Sequence, residues 1–126
     1  MKLTVSLDAQ GTYLVVDNNK VQMKRNANNP EWITWTLDKV LKHKGGLFNK
    51  LTDANKPFVW IDQPPEGIFD APFLKENRSV LRLTDANPDA TSAGGWSYRL
   101  YVSIGNVEYH TLEEQTKTNS PMIKNN

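Results

Sequence analysis

Trp96-Ser97-Tyr98-Arg99-Leu100-Tyr101-Val102-Ser103-Ile104-Gly105-Asn106-Val107-Glu108-Tyr109-His110-Thr111-Leu112 decides the fold class of this chain. Trp96, Tyr98, Leu100, Val102 and Ile104 alternate with Ser97, Arg99, Tyr101 and Ser103. A period of two belongs to a half-buried β-strand. After Gly105-Asn106, Val107, Tyr109 and Thr111 alternate with Glu108, His110 and Leu112. A two-residue Gly-Asn loop suits a tight primed turn, because glycine reaches positive φ without a Cβ clash. The register follows by arithmetic: Ile104 faces Val107, Val102 faces Tyr109 and Leu100 faces Thr111.

Outward from this hairpin, short alternating runs predict further strands at residues 3–7, 12–17, 20–25, 31–37, 57–61 and 79–84. Asn18-Asn19 can supply the left-handed backbone of a hairpin turn between the second and third. Residues 40–49 fit a loop after one short helical turn. Gln63-Pro64-Pro65-Glu66-Gly67 is irregular, since proline cannot donate to a ladder. Ile68, Phe69, Phe73 and Leu74 are expected in the core. Seven to nine short strands predict an all-β chain, a single immunoglobulin-like antiparallel β-sandwich spanning 1–126. A closed barrel is the alternative, and the tail turns polar from about residue 113.

Composition narrows the function classes. The chain has 126 residues, one domain's worth, and no cysteine, which rules out disulfides and thiolate metal sites. Its 15 basic and 14 acidic residues give a net charge of +1, with no drive toward nucleic acid or an anionic membrane. No apolar run approaches the roughly 20 residues of a membrane helix, and residues 1–8 alternate too quickly for a secretory signal. A soluble, cytoplasmic protein is the expectation.

Several side-chain groups could carry chemistry. Outward on the hairpin, Tyr101 falls opposite His110, Ser103 opposite Glu108, and Arg99 diagonal to His110. A cation, a phenol, an imidazole and a carboxylate within reach could bind a ligand or move a proton, although a solvated sheet face explains them more simply. Of four tryptophans, Trp35 and Trp96 fall on buried phases; Trp32, on the polar phase of its strand, and Trp60, in a short apolar run, could stack on sugar rings, as in carbohydrate-binding modules, although core or loop packing explains them more simply. His43 and His110 are too far apart in sequence to suggest a metal site. No Gly-x-Ser-x-Gly elbow or phosphate loop occurs, and no cofactor is implied.

A resemblance adds to this reading. The pieces are Ile33-Thr34-Trp35-Thr36-Leu37, Gly67-Ile68-Phe69, Leu81-Arg82-Leu83-Thr84-Asp85-Ala86-Asn87, Tyr98-Arg99-Leu100-Tyr101-Val102 and Asn119-Ser120-Pro121-Met122-Ile123-Lys124-Asn125. In these the chain resembles the DP-EP proteins, a small bacterial family. The resemblance implies a β-sandwich whose tail cleaves itself at an Asp-Pro bond, with a nearby lysine capturing the activated aspartyl group. This chain has no Asp-Pro pair: Gln115-Thr116 or Thr116-Lys117 stands in its place, and Arg99 stands where the lysine is expected. Arginine stays protonated and is a poor nucleophile. The resemblance therefore implies a member without the scissile chemistry, in which Asp85 and His110 are remnants of a polar site.

Three readings follow. The first is a non-catalytic module that binds other proteins or assembles with its own copies through sheet edges or the C-terminal tail. The second is a self-processing peptidase acting on the tail, with Asn119-Ser120 as a candidate bond because asparagine can cyclise to a succinimide. The third is a carbohydrate-binding module using Trp32 and Trp60.

Overall fold

The computed structural model describes residues 1–25, 30–87, 90–112 and 120–126. In chain order the strands are β1 (Lys2–Leu7), β2 (Leu14–Val16), β3 (Lys20–Met23) and β4 (Glu31–Leu37). One helical turn, α1 (Lys39–His43), precedes β5 (Gly46–Phe48), β6 (Phe58–Trp60), β7 (Phe73–Lys75) and β8 (Val80–Asp85). The chain continues with β9 (Gly94–Ile104), β10 (Val107–His110) and β11 (Met122–Asn125). The fold is all-β. A first sheet runs β2-β1-β4-β8-β7, and a second runs β10-β9-β11-β3, with β5 and β6 also paired to β9.

The hairpin register holds: Val107 pairs with Ile104 and Tyr109 with Val102, and the Thr111 N–H donates to the Leu100 carbonyl. Three features differ from expectation. Both sheets are mixed rather than antiparallel, since β1 runs parallel to β4 and β11 parallel to β3. Alternation marks a strand but not its direction when the neighbour is remote in sequence. Eleven strands stand among the described residues because β5, β7 and β11, of three or four residues each, are too short for a visible period. Finally, β2 and β3 are not a hairpin, because they lie in different sheets. Asp17 ends β2 by clamping it to β1. Its Oδ1 accepts the Thr4 N–H at 2.9 Å and its own N–H donates to the Thr4 carbonyl at 3.1 Å, before Asn18-Asn19 cross to the second sheet.

The core between the sheets joins Leu3, Val5, Ile33, Leu81, Leu83 and Ile123 to an aromatic group. Trp35 Nε1 donates to the Tyr98 hydroxyl at 3.0 Å, and Phe58 stacks on Tyr98 with centroids 5.1 Å apart. Burial pushes the Tyr98 phenol well above its usual range, so it stays neutral. Asp38 caps α1 by accepting the Leu41 N–H at 2.8 Å, which points Leu41 into the core. Ile68 is buried as expected, but Phe73 is 38% exposed on the outside of β7. The polar tail expected from about 113 ends in β11, whose Ile123 is fully buried and whose two edges pair with β9 and β3.

Candidate functional site

The outward hairpin residues meet as the register requires, with Tyr101 opposite His110 and Ser103 opposite Glu108. The face is only partly solvated: Glu108 is exposed, whereas Tyr101 is buried. The loop from β5 to β6 folds over it, anchored at both ends on one residue. The Tyr101 carbonyl accepts the Asn49 N–H, and the Tyr101 N–H donates to the Pro57 carbonyl. Asp53 tightens the loop by accepting the Lys50 N–H at 2.7 Å. Asn49 Nδ2 then donates to Glu108 Oε2 at 2.8 Å and Asn55 Nδ2 to Glu108 Oε1 at 2.6 Å, while Ser103 Oγ donates to Asn49 Oδ1 at 2.7 Å. Beside this network Arg99 Nη1 donates to the Tyr101 hydroxyl at 3.0 Å, and Tyr13 meets His110 edge to face at 5.6 Å. His110 Nδ1 lies 2.8 Å from the Thr111 carbonyl, so in that contact it carries the proton. The carboxylate and the Asn49 amide are engaged by other groups of the chain, so this network acts as a clasp between the loop and the hairpin.

Asp85 lies elsewhere. It ends β8 inside the sandwich, and Asn125 of β11 donates to its Oδ1 at 3.0 Å and to the Ser92 carbonyl at 3.1 Å. This contact ties the two sheets together. Burial raises the Asp85 pKa to about 6, opposed by the Asn125 hydrogen bond and the Asn87 backbone and assisted by the negative charge of Glu31. Asn125 pairs with Gly94, and Arg99 lies five residues further along β9, roughly 17 Å at strand rise. Asp85, Arg99 and His110 therefore do not form one constellation. Among the described residues no three His, Cys, Asp or Glu side chains gather to hold a metal. Gln115, Thr116, Lys117 and Asn119 lie outside the described residues.

The tryptophans also separate. Trp60 packs edge to face on Phe58 at 4.8 Å and against Phe69 at 4.9 Å, so it belongs to the aromatic core. Trp32 is 51% exposed on the outer face of the first sheet. They do not make a common platform. Instead, a residue the sequence reading overlooked stands beside Trp32. The Arg82 guanidinium lies 4.3 Å from the Trp32 ring centroid, and its Nε donates to Thr34 Oγ1 at 3.3 Å. Pairing of β4 with β8 creates this contact, because Thr34 stands opposite Arg82 and Trp32 opposite Thr84. Phe73 flanks Arg82 from β7, and Lys2 flanks Thr34 from β1. Strand positions on this face carry Lys2, Lys75 and Arg82, and the ladder extends to Asp70 opposite Thr84 and Asp17 opposite Thr4. Trp60 packs as the simpler reading expects, whereas Trp32, on the polar phase of its strand, departs from it and stays half-exposed. No local signal set Arg82 against it.

No family model, curated protein or solved structure matches this chain. The class of molecule is given by its fold: a two-sheet, all-β sandwich with an aromatic core, a clasped outer face and an open one.

Proposed function

We propose that this chain, an immunoglobulin-like sandwich in type, is a non-catalytic binding module that engages its partner through the outer face of the first sheet. The supporting observation is the pair Trp32 and Arg82: a half-exposed indole faced by a guanidinium that a threonine holds in place. Large exposed aromatics with a fixed polar neighbour are what recognition sites present. Assembly through sheet edges has less support. The edge strands β2 and β7 of the first sheet have three residues each and β3 and β10 of the second have four, and short edges resist pairing. The tail strand β11 is already paired on both sides, so docking it on another copy requires strand exchange.

The test is a binding screen against immobilised neutral and acidic oligosaccharides and peptides. Wild type is expected to retain at least one class, with Trp32→Ala and Arg82→Ala losing it and His110→Ala keeping it. Retention that survives both first-sheet variants would overturn the reading. Intact mass after long incubation distinguishes the self-processing alternative: a binding module remains one species at 14.3 kDa.

A further inference from the structure

We infer that the Trp32–Arg82 face takes a carboxylate-bearing glycan, a chain containing uronic acid. This rests on the binding-face reading above and names the ligand class. Arg82 is held rather than loose: Nε is engaged by Thr34, and the guanidinium carbon stands 4.3 Å from the Trp32 ring centroid. Its Nη1 and Nη2 make no hydrogen bond or ion pair among the described residues. Those two groups form the end of the fork, the geometry that grips a planar carboxylate with two parallel bonds.

The surroundings fit the same ligand. Lys2 and Lys75 join Arg82 on this face and outnumber its carboxylates, Asp70 opposite Thr84 and Asp17 opposite Thr4, of which Asp17 is engaged by the Thr4 N–H. The exposed part of the Trp32 ring offers an apolar surface for the C–H face of a pyranose. Thr34, Thr36 and Thr84, outward on adjoining strands, supply hydroxyls that both donate and accept, as sugar hydroxyls require. A single-stranded nucleic acid fits less well. It asks for several stacking rings along a cationic groove, and this face has one tryptophan with Phe73 on a sheet.

The experiment is calorimetric titration of the full chain with tetragalacturonate, its methyl ester and a single-stranded oligonucleotide, with NMR mapping of the Trp32 indole. The acid is expected to bind with the Trp32 indole shifted. The ester should be weaker by about tenfold or more, the scale of a lost charged hydrogen bond. Arg82→Lys, which keeps the charge and loses the fork, should show a similar loss with unchanged thermal stability. Equal binding of acid and ester would overturn the carboxylate inference and leave the binding face standing. Stronger binding of the oligonucleotide would overturn it in favour of nucleic acid. No shift of the Trp32 indole with any of these probes would overturn the carboxylate inference; failure of the oligosaccharide and peptide screen as well would remove the binding-face reading.

Discussion

The outer faces of the two sheets start from similar material and end differently. Each sets an arginine beside an aromatic ring, Arg82 on Trp32 in the first sheet and Arg99 on Tyr101 in the second. Over the second, the loop between β5 and β6 returns and engages Glu108 through two asparagines, so Asn49 is only 2% exposed and Tyr101 8%. On the first, Trp32 and Phe73 remain in solvent. The difference lies in which loop closes back, not in the strands. A clasped polar face stabilises the fold; an open one leaves its side chains available to a partner.

Substitution should separate the two faces by stability. The largest expected effect is Asn49→Ala, which strips hydrogen bonds from Glu108, Ser103 and the Asn55 carbonyl. Losing three hydrogen bonds at about 1 kcal/mol each should cost about 3 kcal/mol in chemical denaturation; a loss under about 1 kcal/mol would mean that the clasp is ornamental. The next effect is a pH dependence from Asp85, whose pKa rises from 3.8 to about 6 on folding. The folded state binds the extra proton, so the stability Asp85 contributes is fully present below about pH 4. It should fall by about 2–3 kcal/mol as pH climbs through 6. Asp85→Asn should flatten that slope, and a slope that persists would place its origin in another group. The smallest effect is on the open face. Trp32→Ala and Arg82→Ala should each change stability by less than about 1 kcal/mol, the scale of an exposed cation–π contact. A larger loss would mean that this face, too, belongs to the fold.

Legibility followed the distance between partners in sequence. The hairpin could be read because alternation and Gly105-Asn106 set its register locally, down to Thr111 bonding Leu100. Trp32 lies on the polar phase of its strand, but packing is the simpler reading of so large an apolar ring, and its exposure shows only in the fold. The Arg82 contact was not legible either, because Thr34 and Arg82 are 48 residues apart and meet only once β4 and β8 pair. Asn49 sat in a stretch that looked like an ordinary loop, and its partner Glu108 is 59 residues on. The link from Asp85 to Asn125 was hidden in the same way, behind a strand of four residues in a polar tail.

That strand has a consequence in time. Lys20–Met23 joins the second sheet only by pairing with Met122–Asn125, about a hundred residues later. At ribosomal rates of roughly 5–20 residues per second, this segment waits on the order of 5–20 s for its neighbour. Throughout that interval Val21 and Met23, buried in the finished sandwich, lack the strand that aligns them. A nascent chain paused short of Met122 presents an unpaired edge with two apolar side chains, the kind of surface that chaperones hold.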